Sequence, residues 1–178
     1  MCFVLKNLII NWGTVARLFM MPFSQFTTGF IDAERFQSMN LFEKETKELM
    51  IEYSKTFIGK PYRWGGEGVL GFDCSGFIQE VLRCVGLDPK GDQTAQALYN
   101  YFIKRSKGSG VAPGSLLFWG KSTEKITHVS LAIDYFYHIE AGGGNSKTTS
   151  LQVAERQGAM VRIRPINSRS DLRAAIKI

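Results

Sequence analysis

The stretch Gly71-Phe72-Asp73-Cys74-Ser75-Gly76-Phe77-Ile78-Gln79-Glu80-Val81-Leu82-Arg83-Cys84-Val85-Gly86 decides how this chain is read. Phe77, Ile78, Val81 and Leu82 recur at the three-to-four spacing of a helix with one apolar stripe. Asp73 is a natural N-cap, because its carboxylate can accept from the first N–H groups, which have no intrahelical partner. Gly86 suits the residue that closes a helix. The spacing therefore predicts a helix over Asp73 to Cys84, with Cys74 in its first turn. Unpaired N–H groups and the helix dipole favour an anion there, so the sulfur is expected to be a reactive thiolate. A small buried residue is the structural alternative, but flanking Asp, Ser and Gly are a poor setting for a core position. That alternative fits Cys84, between Arg83 and Val85, much better; Cys2 lies in the terminus and takes no role.

Upstream, Phe42, Leu49, Tyr53 and Phe57 stand near helical spacing among charged residues, which predicts an amphipathic helix from Asn40 that stops at Gly59, with Pro61 beyond. Trp64-Gly65-Gly66-Glu67-Gly68 reads as a loop. Downstream, a third helix is expected from Asp92 to Ile103, then a loop from Lys104 to Gly110. The second half changes character. Leu116–Trp119, His128–Ile133, Phe136–Ala141 and Met160–Pro165 are short runs rich in β-branched and aromatic residues, read as strands. Helices first and strands after argue for an α+β fold with N-terminal helices on a small antiparallel sheet.

At 178 residues, 44% hydrophobic and 21% charged, the chain is sized and composed for one folded domain, which excludes wholesale disorder and a polytopic membrane protein. Residues 39–178 are taken as that domain, with 1–38 as an extension. The apolar stretch from Leu5 to Phe30 is interrupted by Lys6, Asn11, Arg17 and Pro22, so it makes a poor signal peptide and lacks the uninterrupted apolar run that a spanning helix needs. A weak anchor, a packing extension and an upstream start all stay open for it. Three cysteines and two histidines, with no CxxC or HxxxH spacing, predict no structural zinc and no disulfide framework.

The net charge of +6 is concentrated late: from Gly142 onward stand Lys147, Arg156, Arg162, Arg164, Arg169, Arg173 and Lys177, against Glu155 and Asp171. Such a face could meet an anionic wall polymer or a membrane surface, or simply be solvated. Nucleic acid is disfavoured, because the basic residues are scattered singly with no recognition motif around them.

A nucleophilic thiol needs a base to take its proton and return it to the leaving group. His128, opening a predicted strand, is the candidate; a strand-edge surface histidine is its structural alternative. The base in turn wants a polar partner to orient it. His138 and Glu140 alternate to one face of the next strand, and either could serve.

Gly59-Lys60-Pro61-Tyr62-Arg63-Trp64-Gly65-Gly66, Asp73-Cys74-Ser75-Gly76-Phe77, Pro113-Gly114-Ser115-Leu116-Leu117-Phe118 and His128-Val129-Ser130-Leu131 occur in this order. Over roughly Phe42 to Pro165 they resemble the NlpC-type cell-wall cysteine peptidases, a papain-like family. The resemblance implies Cys74 as nucleophile, His128 as general base, and Tyr62 as a hydroxyl near the thiol that holds substrate or the oxyanion. It implies that Asp73 and Ser75 line the substrate site. The family's third catalytic member, usually His, Asn or Gln, lies twelve positions past the base, which here is Glu140; His138 is the alternate. Ser115, where Asp is common, is a second departure, expected to touch stability more than chemistry.

The implied substrate is the peptidoglycan stem peptide, cut at the amide between D-γ-glutamyl and a diamino acid by a monomeric enzyme without metal or organic cofactor. A secreted, envelope or phage setting follows from that substrate. The same fold could instead carry an amidase or acyltransferase on another substrate. An inactive phage-tail or envelope structural protein is the third reading.

Overall fold

The structure, a computed structural model, describes residues 33–68 and 70–178; the 1–38 extension, Cys2 and the Leu5–Phe30 stretch therefore lie outside it, apart from the helical residues that begin at Ala33. Glu43–Ile178 form one compact unit, which contains every candidate site residue. In chain order the elements are α1 (Ala33–Lys55), β1 (Glu67–Gly68), β2 (Gly71–Phe72), α2 (Cys74–Cys84), α3 (Ala95–Ile103), β3 (Gly108–Ser109), β4 (Leu116–Ser122), β5 (Lys125–Ala132), β6 (Tyr137–Gly142), α4 (Leu151–Gln157), β7 (Met160–Pro165) and β8 (Leu172–Lys177). Six strands form one antiparallel sheet in the order β3-β8-β4-β5-β6-β7, and β1 pairs with β2 separately. This is the α+β arrangement expected from helices first and strands after.

The helix α2 carries the core. Phe77, Ile78, Val81 and Leu82 are all buried, and they pack with Leu98 and Phe102 of α3 and with Leu116, Phe118, Val129, Leu131, Ile139 and Val161 of the sheet. Truncating any one of these to alanine would cost about 2–5 kcal/mol. Both ends of the helix follow the sequence. Asp73 accepts from Gly76 N–H at the start. At the end Gly86 takes φ +72°, its N–H bonding Arg83 O while Leu87 N–H bonds Leu82 O, the paired closure that a left-handed glycine permits.

The opposite sheet face is covered too: Leu117, Trp119 and Ala132 are buried beneath Val111, Ile166 and Leu172. The chain running between β7 and β8 supplies part of this cover, so β4 is buried from Leu116 to Gly120 without alternation.

Several boundaries differ from expectation. The first helix ends at Lys55 rather than Gly59, because Gly59 and Tyr62 N–H groups pair instead with Val161 O and Ala159 O along β7. Its expected stripe is wrong in part: Phe42 and Leu49 are exposed, and Met50, Ile51 and Ser54 are the buried residues. The third helix starts at Ala95 rather than Asp92. Thr94 caps it, and Gln93 N–H is held by the buried Gln79 amide oxygen at 2.8 Å. Helix α4 and strand β8 lie outside the elements expected from the sequence. Leu172-Arg173-Ala174-Ala175-Ile176-Lys177 has no strand-like composition, and it is extended because β4 on one side and β3 on the other take its backbone bonds.

Ser115 is buried, its hydroxyl donating to Gly110 O and accepting from Ala112 N–H, both at 3.2 Å. It ties the turn before β4.

Gly76 sits where α2 meets the glycine loop, and a Cβ there would overlap the Gly66 carbonyl oxygen, whereas a Cβ at Gly86 would meet open space. Gly76→Ala is therefore expected to lower the unfolding free energy by roughly 2 kcal/mol or more through steric overlap. Gly86→Ala should cost about 1 kcal/mol, through its left-handed backbone alone. Urea unfolding of both variants tests the ranking.

Candidate active site

The cysteine is placed first. Asp73 Oδ1 accepts from Gly76 N–H at 2.8 Å and from Ser75 Oγ at 3.0 Å, while Oδ2 accepts from Gly65 N–H at 3.0 Å. One carboxylate thus caps α2 and binds the Trp64–Gly68 loop to its start, leaving Cys74 as the first residue of the helix. Cys74 is buried at the edge of the core, and Cys84 lies at the other end of the same helix, about 15 Å along its axis. Asp73 and Ser75 were expected to line a substrate site. Both flank Cys74, and both of Asp73's oxygens and the Ser75 hydroxyl proton also build this internal cap.

Tyr62 is positioned by backbone pairing on two sides: its N–H bonds Ala159 O, and Arg63 N–H bonds Phe72 O. Its ring is buried, and the Gly144 backbone lies so close that a Cβ there would overlap the ring carbons. Burial and the negative charge of Cys74 and Asp73 push the phenol well above its usual range, so it stays protonated and can donate near the sulfur.

His128 comes from β5. Between the pairs Trp119↔His128 and Gly120↔Ile126 the strand β5 carries one extra residue, Thr127, a bulge beside the histidine that re-aims the chain. His128 Nε2 lies 2.7 Å from Glu140 Oε2. Burial disfavours charge on the ring, but the neighbouring Cys74 sulfur and the hydrogen-bonded Glu140 carboxylate outweigh it and raise the pKa to about 9. With Nε2 taken by the carboxylate, Nδ1 is the nitrogen left to serve the thiol.

Glu140 is 3% exposed. Burial alone would keep it neutral, yet the bond and charge of His128, together with His138 and Arg162, bring its pKa down to about 2. Its second oxygen, Oε1, accepts from Arg162 Nε at 3.3 Å.

His138 shares the face with Glu140 but is not the partner of His128. It is fully buried, neither ring nitrogen has a hydrogen-bond partner, and the ring lies 5.2 Å from that of Trp119. Burial pulls its pKa to about 4. Its geometry does not support the alternate role given to it from the sequence.

Two groups near the site escaped the sequence. Arg162 stands directly opposite Glu140 in the β6–β7 ladder. Trp119 donates from Nε1 to Ser130 Oγ at 2.9 Å and carries the Arg169 guanidinium 5.2 Å from its ring centre. Arg169 is held bidentately by Asp171. Arg162 and Arg169 are thus turned to internal partners, so the late basic surplus is not one solvated face. The alternation Arg162-Ile163-Arg164 was a visible hint, but only the strand pairing says what it faces. Among the described residues, no three His, Cys, Asp or Glu side chains come close enough to hold a metal ion, and no helix is long and apolar enough to cross a membrane.

Helices packed on an antiparallel sheet, with a cysteine opening the central helix and a histidine on the sheet, define a papain-like α+β domain. The NlpC/P60 family model matches residues 59–165, and the chain belongs to that family. Its relatives include the probable endopeptidase p60 of Listeria grayi, 38% identical over 88 residues, covering 49% of this chain and 16% of that protein. The gamma-D-glutamyl-L-lysine dipeptidyl-peptidase of Bacillus subtilis is 30% identical over 138 residues, covering 72% of this chain and 45% of that protein. The chain thus spans less than half the length of these curated relatives. The crystal structure of the NlpC/p60 domain of the peptidoglycan hydrolase SagA superposes with a TM-score of 0.54 at 27% identity, covering 74% of this chain and 98% of that one.

The two histidines make stability fall on both sides of neutrality. His128 is raised from 6.5 to about 9 in the fold, so its contribution is fully present below about 6.5 and is lost as pH rises through 9. His138 is depressed from 6.5 to about 4, so the unfolded chain binds the extra proton and stability drops as pH falls from about 6.5 towards 4. Urea unfolding at about pH 5, 6.5 and 8.5 should show a maximum at the middle value. His138→Phe should flatten the acid side by more than about 1 kcal/mol and leave the alkaline side in place.

Proposed function

We propose that this domain is a thiol endopeptidase acting on peptidoglycan stem peptides, with Cys74 as nucleophile, His128 as general acid–base and Glu140 as the residue that orients it. The observation that carries the reading is the buried Cys74–His128–Glu140 constellation, in which Glu140 holds Nε2 at 2.7 Å and keeps a proton on the imidazole beside the sulfur. The names of the relatives, a gamma-D-glutamyl-L-lysine dipeptidyl-peptidase and a p60 endopeptidase, support the cell wall as substrate and the amide between D-γ-glutamyl and a diamino acid as the bond.

In this mechanism the Cys74 sulfur attacks the amide carbonyl carbon, and the C=O pair moves onto oxygen. The Tyr62 hydroxyl and the N–H groups at the start of α2 would supply donors to that oxyanion. As the C–N bond breaks, the proton on His128 passes to the leaving amine, which departs and leaves a thioester on Cys74. Neutral His128 then takes a proton from water, whose oxygen attacks the thioester carbon. The acid product leaves and the imidazolium–thiolate pair is restored. Glu140 gives no proton; its charge stabilises the imidazolium in both half-reactions.

Incubation with labelled muropeptides, followed by mass spectrometry of the new amine terminus, tests the reaction and the bond. Cys74→Ala should abolish turnover with an unchanged fold, whereas Cys84→Ala should stay within about twofold. Glu140→Gln should lower turnover roughly ten- to a thousandfold, and His138→Phe far less. Turnover that survives Cys74→Ala would refute the reading.

A further inference from the structure

The proposed mechanism leaves one strong charge beside the site without a role. Arg162 lies on β7 directly opposite Glu140, one strand further from His128, and donates through Nε to Oε1 at 3.3 Å while Oε2 faces the histidine. The arginine is itself fixed. Its Nη1 donates to Gly158 O at 3.4 Å, and the Gly143 backbone comes so near that a Cβ there would sit 3.3 Å from both terminal nitrogens. The order across three strands is therefore His128 on β5, Glu140 on β6 and Arg162 on β7, with each carboxylate oxygen serving one cation.

We propose that Arg162 is a positioning residue of the site, which anchors Glu140 through Oε1 so that Oε2 is presented to His128 Nε2, and which takes up part of the carboxylate's charge. The inference rests on the Cys74–His128–Glu140 reading and extends it. It follows from the chemistry of a glutamate in this place. A neutral histidine or amide at the third position needs no counter-charge, but an ionised carboxylate that is 3% exposed does. A glutamate side chain also has more rotatable bonds than an asparagine. One bond to His128 would leave it free to swing, and a second from the next strand fixes it.

The consequence is a balance. Arg162 shares the negative charge, so it holds the imidazolium of His128 less tightly bound than Glu140 alone would. Other charged or titratable groups facing this pair are Cys74 from α2, His138 from β6, Arg164 from β7, and Arg169 and Asp171 from the segment before β8. Among the described residues, the Glu140 carboxylate is hydrogen-bonded by His128 and Arg162, and by none of these other groups.

The test uses the two histidines of the chain, whose imidazole signals can both be followed by NMR titration without any turnover. In Arg162→Met, the His128 titration should move upward by roughly half a pH unit or more, since a positive neighbour is lost and the carboxylate charge is no longer shared. The kcat for muropeptide cleavage should fall roughly tenfold with little change in KM. Arg162→Lys keeps the charge and loses the Nε–H, so the titration should stay near the parent's while kcat falls about threefold. In a Glu140→Gln background, Arg162→Met should move the His128 titration by less than half as much, because the carboxylate that couples them is gone.

A folded Arg162→Met protein with unmoved titration and unchanged kcat would overturn the proposal. So would a shift of equal size in the Glu140→Gln background, which would mean that Arg162 acts on His128 directly. Failure of the peptidase reading would show elsewhere, as turnover surviving Cys74→Ala, with the NMR result still deciding the role of Arg162.

Discussion

An ionised carboxylate with almost no access to water is the constraint around which this domain is organised. Taking Glu140 out of water costs several kcal/mol unless cations and hydrogen bonds replace its hydration. The fold replaces it from both sides. His128 approaches one oxygen from β5 and Arg162 the other from β7, at 2.7 and 3.3 Å. Each is brought there by strand pairing: the β6–β7 ladder sets Arg162 opposite Glu140, and the bulge at Thr127 sets His128 within reach diagonally. The charge on His128 is thus a product of the sheet's register. A slip of one residue in β6 would turn Glu140 to the other face and leave both cations without their acceptor.

A second carboxylate organises the other half of the site by different means. Asp73 is only partly buried, and it needs no cation because it accepts three hydrogen bonds from groups that have no other use: a helix N–H, a neighbouring hydroxyl and a loop N–H. That single side chain brings the glycine loop onto α2, and the fit is close enough that a side chain at Gly76 would strike the Gly66 carbonyl. The segment from Gly59 to Tyr62 is held in turn by Ala159 and Val161. Tyr62 is therefore held beside the start of β7, the strand that supplies Arg162.

The two histidines show how far environment outweighs identity. They lie on the same sheet face, and both are buried. His128 has a carboxylate and a sulfur as neighbours and is driven towards imidazolium. His138 has the Trp119 ring and no hydrogen-bond partner, and it is held neutral, with Arg164 and Arg169 reinforcing the effect. One serves as a candidate acid–base; the other fills space between the site and the second apolar layer.

Much of this was legible in the sequence, wherever the determinant was local. The helix α2, its aspartate cap and its glycine closure follow from residues within a turn of one another, and the four predicted strands from their composition. The motifs around Cys74 and His128 were enough to suggest the family. Local residues thus specify most of the elements and the chemistry they could carry. The sequence could not choose between Glu140 and His138, because both lie on one face of one strand and the choice depends on where β5 pairs with β6. It could not read Arg162 as anything but one basic residue among seven in the last segment, since its partner is 22 residues away on another strand. It missed β8, whose alanines are extended only because β4 and β3 take their backbone bonds. Those decisions belong to the tertiary structure, because a hydrogen bond between strands and the desolvation of a charge depend on neighbours that chain order does not specify.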